Sequence, residues 1–504
     1  MNKMMSGFEV QPAVTSFLKG PLKMLIGGEW VDAQSGETIE VFDPATGERL
    51  GAVPSAGEAD VDKAVRAART AFESGPWRSM QPAERARIVW RIGELLLENA
   101  AELAEIESID NGKPAAIAQA ADIPIAADVF QYHAGWATKL YGRSVEPSVS
   151  YMPGMRWHAY TRREPVGVCG QIIPWNFPLL MAAFKLAPAL ATGNVVVLKV
   201  AEDTPLSAIR MGQLMQEAGV PDGVVNIITG YGETAGAAVA GHPDVDKVAF
   251  TGSTEVGKLI VNAAKGNLKN VSLELGGKSP NIILNDADLE RAIPGAAEAI
   301  FFNHGQCCTA GSRLFVQSDI YDKVMEGLTD YAKSIKLGPG LDPDTAMGPL
   351  VSAKQLERVQ GYVENGKKAG AQAITGGQRV GEKGHFFAPT LMADVDDKME
   401  VYREEIFGPV VCVTRFDEAD AQLLARANDS IYGLAAGVWT RDLEKAHRLA
   451  AGLRAGTVWV NTYNAFDPSL PFGGFKQSGW GRENGDEVLE HYLEPKAVAI
   501  ALGE

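Results

Sequence analysis

Two kinds of apolar pattern alternate along the chain. Near the start, Met24 to Val31 and Glu40 to Phe42 are strand-like, and the turn residues Asp32, Ser35 and Gly36 between them predict a short hairpin. From Glu58 to Ser74 and from Pro82 to Ile109, apolar residues such as Ile88, Ile92, Leu95, Leu96 and Leu103 recur at helical spacing between charged ones. That spacing predicts amphipathic helices covering a core. From Val166 onward the pattern becomes apolar runs: Val166 to Ile173, Val195 to Val200, Val224 to Ile228, Lys247 to Phe250 and Val271 to Leu275. Helical stretches such as Pro205 to Ala218 and Glu255 to Ala264 lie between them. Continuously apolar strands joined by helices predict a parallel sheet with right-handed crossovers. A second set, near Asn281 to Leu284, Leu314 to Gln317, Val410 to Phe416, Ala435 to Thr440 and Thr457 to Asn461, predicts a second α/β unit. No internal repeat or low-complexity tract interrupts the pattern.

Length agrees with two units, because 504 residues exceed what one hydrophobic core covers. The chain is 46% hydrophobic, as expected of an ordered globular protein. Its formal net charge of −16 disfavours phosphate backbones and anionic lipid, so neither nucleic acid nor membrane is an expected partner. Met1 to Pro21 lacks the apolar core of a secretory signal. The most apolar stretch, Phe177 to Thr192, is broken by Lys185 and Pro188 and falls short of the roughly 20 residues needed to span a bilayer. Cys169, Cys307, Cys308 and Cys412 are too few for a disulfide framework in so long a chain and suit a reducing compartment, so a cytoplasmic location is expected.

Against that background a few segments can carry chemistry. Phe301 to Ala310 places Cys307 and Cys308 after an apolar helix, before a turn of small residues. Thiolate is strongly nucleophilic, although an arbitrary cysteine pair is more often buried filler, and only the surrounding segments reverse that reading. Val271 to Lys278 sets Glu274 among apolar residues, where desolvation raises a carboxyl pKa toward that of a useful base. In Ile173-Pro174-Trp175-Asn176-Phe177-Pro178, two prolines fix the backbone around an amide that can donate to a developing oxyanion or simply cap a turn. The strand Val195 to Val200 delivers Lys199, with Glu202 just beyond, to its carboxyl end, where α/β sheets bind ligands. A carboxylate there accepts from ribose hydroxyls and repels a 2′-phosphate. Phe250 to Gly257 follows a strand and opens a helix, so its free N–H groups and Ser253 can meet a pyrophosphate.

Together these segments resemble the aldehyde dehydrogenase superfamily, from about Gly27 to Tyr492. Further matches are Glu404-Glu405-Ile406-Phe407-Gly408-Pro409 and Pro471 to Gly479. The resemblance implies an α/β fold with a Rossmann-type NAD-binding domain in two parts (1–142 and 166–276). A hairpin for oligomerisation (143–165), a catalytic domain (277–476) and an oligomerisation tail (477–504) complete it. It implies that Cys308 is the nucleophile, Glu274 the general base, and Asn176 with the Cys308 backbone N–H the oxyanion hole. It implies NAD as cofactor, held by Ile172, Pro174, Trp175, Lys199, Glu202, Gly232, Phe250, Gly252, Ser253, Leu275, Glu405 and Phe407, with no metal. The reaction implied is aldehyde oxidation through a thiohemiacetal and a thioester, hydrolysed by Glu274-activated water. His304 departs from the family, where glutamine is common.

By the same resemblance Phe177, Met181, Phe184, Cys307, Asn464, Phe466 and Phe472 line the aldehyde tunnel. All but Asn464 are apolar or aromatic, with no arginine for a second carboxylate. An aromatic or medium-chain aldehyde is therefore expected, and Asn464 to Pro468 resembles phenylacetaldehyde dehydrogenases. A betaine-aldehyde type of substrate is the alternative, although a quaternary ammonium cage favours more Trp and Tyr. Strand-like Arg143 to Arg163 and Ala497 to Leu502 imply a homodimer or homotetramer. Two rival readings are an inactive NAD-binding relative and a thiol hydrolase using Cys308 with His304.

Overall fold

The computed structural model describes residues 4–503. Its first sheet has the strand order Gly479–Trp480, Asn270–Glu274, Lys247–Thr251, Val168–Ile172, Val195–Lys199, Val225–Ile228, Met24–Ile26, Glu29–Val31. The five strands from Asn270–Glu274 to Val225–Ile228 are parallel, and the outer strands on either side join antiparallel. Val168–Ile172 and Val195–Lys199 are buried throughout, as continuous apolar runs require. The chain leaves Val168–Ile172 toward one edge of the sheet and Lys247–Thr251 toward the other. The carboxyl ends of these neighbours therefore open a crevice at a topological switch point.

The second sheet runs Gln372–Thr375, Thr390–Ala393, Val410–Phe416, Arg313–Gln317, Pro280–Ile283, Ala435–Trp439, Thr457–Val460, and is parallel except at its first strand. Glu274 ends a strand of the first sheet and Pro280 begins one of the second, so the chain crosses between them in the short span from Leu275 to Ser279. The carboxyl ends of the first sheet consequently face the amino ends of the second. Cys308 lies just before the amino end of Arg313–Gln317, on this shared cleft.

Three expectations need revising. Met24 to Val31 does not pair with Glu40 to Phe42; it folds on itself, Met24–Ile26 against Glu29–Val31. Gly27 and Gly28 have φ of 64° and 89°, the left-handed pair that a two-residue hairpin turn requires. Thr38–Phe42 pairs instead with Arg49–Pro54. The helical stretch from Pro82 to Ile109 divides at Asn99, between Pro82–Glu98 and Ala100–Asn111. The second helix is not an amphipathic cover: Glu102, Glu107, Asp110 and Asn111 are all buried on it. The segment 477–504 also divides. Gly479–Trp480 joins the first sheet, whereas Leu493–Gly503 pairs along Arg156–Pro165 in a separate three-stranded sheet with Ser144–Val145.

Candidate active site

Every residue singled out above for catalysis, cofactor or aldehyde lines one continuous cavity of about 980 Å³ in the cleft between the sheets. At its centre is the turn carrying Cys308. Helix Leu289–Phe301 ends there, and Asn303, His304 and Gly305 follow with φ of 49°, 60° and 69°. Three successive left-handed residues are costly and persist only where their surroundings hold them. A Cβ on Gly305 would lie 2.0 Å from the Gly408 carbonyl oxygen, so the turn is pressed against backbone. Asn303 Nδ2 donates to the carbonyls of Asn176 (2.9 Å) and Gln306 (3.1 Å). Asn176 Nδ2 donates in turn to Gln306 O at 2.9 Å. The Asn176 amide is thereby oriented by the turn that carries Cys308 and keeps a second N–H.

Cys308 is partly exposed to the cavity and Cys307 is buried beside it. The hydrogen bond shared with Cys307, followed by burial, holds the Cys308 thiol well above its ordinary range, and the Glu405 and Glu274 carboxyls add to this. The shift favours the thiol form of Cys308.

Glu274 ends strand Asn270–Glu274 and is buried, with Oε2 unpartnered. Burial pushes its carboxyl well above the usual range; Glu483 adds to the rise, and Lys185 and Arg482 oppose it. Lys185 and Glu483 themselves form a buried ion pair at 2.6 Å. A carboxyl poised in this way accepts a proton more readily than a solvated one.

The other end of the cavity suits a dinucleotide. Lys199 Nζ meets Glu202 Oε2 at 2.6 Å, and Gly232 N–H approaches Glu202 Oε1 at 3.5 Å. Ser253 caps helix Thr254–Ala264, accepting from Val256 N–H at 3.2 Å, so the helix presents its N-terminus to the cavity. A Cβ on Gly252 would lie 2.5 Å from the Phe250 ring, which packs closely on this turn. Glu405 accepts from Gly277 N–H at 2.9 Å, and burial pushes its pKa up to about 7. Phe407, at φ 60°, packs edge to face on Trp175 with ring centroids 5.2 Å apart. Helix Ala353–Lys368 clamps this strained loop: Gln355 Nε2 donates to Phe407 O at 2.6 Å and Arg358 Nη2 to Glu405 O at 2.9 Å.

Comparison with known proteins decides the family. The sequence pattern of the aldehyde dehydrogenase family matches residues 30–498. The chain belongs to the aldehyde dehydrogenase family. It is 52% identical over 494 residues to a mitochondrial aldehyde dehydrogenase of Leishmania tarentolae, covering 98% of this chain and 97% of that one. The NAD+ complex of an aldehyde dehydrogenase from Bacillus cereus superposes with a TM-score of 0.95 at 51% identity, over 98% of this chain and 99% of that one. A betaine aldehyde dehydrogenase of Staphylococcus aureus in complex with NAD+ follows at 0.93 and 41%, over 97% and 96%. The α/β aldehyde dehydrogenase fold and enzyme class expected from the motifs therefore stand. Among the described residues no helix is long and apolar enough to cross a membrane.

Phe177, Met181, Phe184, Phe466 and Phe472 line the same cavity of this dehydrogenase as Cys307 and Asn464. Sequence reasoning missed several neighbours. Phe302 stacks on Phe177 with centroids 5.9 Å apart. Tyr463 donates through its hydroxyl to Thr309 O at 2.7 Å, and Asp122 also lines the wall. The helix in front of the cysteines signalled Phe302, but Tyr463 and Asp122 meet the site only through the fold. His304 is buried, with Nδ1 3.4 Å from Gln306 Nε2 and Nε2 unpartnered. Burial, with help from the Lys113 charge, lowers its pKa to about 3. It makes no hydrogen bond to Cys308, and a neutral imidazole turned away from the thiol is no dyad partner.

Proposed function

We propose that this aldehyde dehydrogenase oxidises an apolar aldehyde, aromatic or medium-chain and phenylacetaldehyde-like, to the free carboxylic acid with NAD. Cys308 is the nucleophile: its thiol proton is released to solvent and its sulfur adds to the carbonyl carbon, giving a thiohemiacetal whose oxygen is an oxyanion that becomes the thioester carbonyl when the hydride leaves. Asn176, oriented by Gln306 O, donates its remaining N–H to that oxygen together with the Cys308 backbone N–H. Bound NAD supplies the hydride acceptor. Glu274 takes a proton from the water that attacks the resulting thioester, which releases the acid and restores the thiol.

Lys199 and Glu202 bind the adenosine ribose, and Gly232 closes beside them. Ile172, Pro174, Phe250, Gly252 and Ser253 line the path of the pyrophosphate. Trp175, Leu275, Glu405 and Phe407 enclose the nicotinamide riboside. Unpartnered, buried Glu274 Oε2 and the open N-terminus capped by Ser253 fit a water and a phosphate respectively. The observation that carries this reading is the meeting of Cys308, Glu274 and Asn176 in one cavity whose aldehyde end is aromatic. The Phe177 ring already faces the Lys113 ammonium, 4.3 Å from its centroid, which makes it a poor wall for a quaternary ammonium substrate. The open edge of Leu493–Gly503, with Ile500 and Leu502 exposed, supports a homodimer or a tetramer of dimers.

The test is NADH formation with phenylacetaldehyde, hexanal, betaine aldehyde and succinic semialdehyde, using NAD or NADP, for wild type and Cys308→Ala. Turnover of the first two aldehydes with NAD, abolished by the substitution, is expected. Turnover only of the charged aldehydes would overturn the substrate class. NAD binding without turnover of any would favour the inactive relative.

A further inference from the structure

Thr309 links the Cys308 turn to Asn464 of the aldehyde wall. It is fully buried. Its hydroxyl donates to Asn464 Oδ1 at 3.0 Å, and the same oxygen lies 3.1 Å from Cys307 Sγ. A hydroxyl has a single proton, so with that proton on Asn464 it is the Cys307 S–H that donates to Thr309. The Thr309 carbonyl is held separately by the Tyr463 hydroxyl at 2.7 Å. Asn464 itself sits at φ 54°, a conformation that asparagine tolerates better than most side chains. Its amide oxygen is thus satisfied from behind. Its Nδ2 makes no hydrogen bond to the protein, while the residue lines the cavity beside Cys307, Phe466 and Phe472. The wall beside Cys307 consequently presents an amide donor.

We infer that Asn464 is a specificity-determining residue that donates to an oxygen acceptor near the carbonyl end of the substrate, with Thr309 as the positioning residue that fixes the direction of its amide. The substrate class is then narrower than apolar aldehydes in general: it is aldehydes that carry an ether, hydroxyl or carbonyl oxygen near the reacting carbon, on an aromatic or aliphatic body. This inference rests on the apolar-aldehyde reading given above.

The pair phenoxyacetaldehyde and 3-phenylpropanal isolates the donor, because the two differ only by an ether oxygen in place of a methylene. The readout is the ratio of their kcat/KM values in each variant relative to wild type, which cancels the intrinsic reactivity of the aldehydes. Asn464→Asp keeps the shape and the backbone conformation but replaces the amide donors with a carboxylate; the ratio is expected to fall about five-fold, the size of one hydrogen bond. Thr309→Val keeps the shape and frees the amide, and is expected to lower the ratio about three-fold. Thr309→Ser retains the hydroxyl and is expected to hold the wild-type ratio. A ratio within two-fold of wild type in both Asn464→Asp and Thr309→Val overturns the inference. So does an equal loss on both aldehydes in Thr309→Val, which is what a purely structural role would produce. If Asn464→Asp does not fold, Thr309→Val carries the comparison alone.

Turnover of 3-phenylpropanal by the wild type tests the underlying reading separately. If it fails, protection of Cys308 from iodoacetamide by 2-phenoxyethanol and by 3-phenylpropan-1-ol makes the same comparison without catalysis. Tighter protection by the ether in wild type, lost in Thr309→Val, supports the donor; equal protection overturns it.

Discussion

Gly277 packs directly on the backbone of Cys308: a Cβ built on the glycine would lie 2.3 Å from the Cys308 carbonyl oxygen. The same glycine donates its N–H to Glu405 at 2.9 Å, so the crossing between the two sheets touches both Cys308 and Glu405. The contact leaves no space for a methyl group and involves backbone that cannot rotate away. Gly277→Ala is expected to cost about 1 to 3 kcal/mol of stability through overpacking. It should also displace the Cys308 turn, so turnover falls at least ten-fold while NAD binding weakens less. Thermal unfolding and NADH formation check both; a variant with wild-type activity would show that the turn is positioned by something else.

Glu274 is raised first by burial and next by the like charge of Glu483. A general base works only when ionised, so the hydrolytic step should gain rate as pH rises through that elevated pKa. Glu483→Gln removes the like charge and leaves Lys185, whose attraction favours the Glu274 carboxylate. The ascending limb of kcat against pH is therefore expected to move to lower pH. The substitution also strands a buried cation, at a cost of about 3 kcal/mol or more. Glu274→Gln should keep a pre-steady-state burst of NADH and lose steady turnover by 10² or more. Loss of the burst as well would mean that Glu274 acts before the thioester forms.

Much of this was legible in the sequence because it is local. The runs Val168–Ile172 and Val195–Lys199 are apolar at every position, and burial on both faces leaves no other reading. Cys308, Glu274 and Asn176 each lie in a distinctive short segment, and the fold had only to bring the segments together. What stayed hidden depends on partners far along the chain. Ala100–Asn111 has a helical pattern, but its buried acids meet groups such as Arg210, Ser207 and Lys113, which helical spacing alone does not identify. Lys185 and Glu483 read as ordinary surface charges until the fold buries them face to face. The Gly27-Gly28 turn was within reach, since paired glycines between apolar residues signal a tight hairpin.

The proposed placement of the adenosine ribose makes Glu202 the residue expected to discriminate between NAD and NADP. Its carboxylate is fixed by Lys199 at 2.6 Å, and the Lys199 charge and hydrogen bond outweigh burial, so its pKa is lowered and the group is ionised at neutral pH. A 2′-phosphate at this place would meet a negative charge. Glu202→Ser removes it and leaves Lys199 free to face a phosphate. The ratio of kcat/KM for NADP over NAD is expected to rise at least ten-fold, largely through KM for NADP. An unchanged ratio would place the discrimination on other residues.

Buried histidines make stability fall in acid. Burial lowers the pKa of His133 from 6.5 to about 4 and that of His304 from 6.5 to about 3. Below pH 6.5 the unfolded chain therefore takes up protons that the folded chain refuses, and stability falls as the pH drops from 6.5 toward those folded values. At pH 5 each such histidine should cost on the order of 2 kcal/mol relative to pH 7. His304→Gln removes one of them while keeping a side chain able to bond to Gln306. The loss of stability between pH 7 and pH 5, measured by urea unfolding, should shrink by about 2 kcal/mol in the variant. An identical loss in wild type and variant would mean that His304 is already solvated or protonated in the folded protein, which its enclosure between Gly348 and Gln306 argues against.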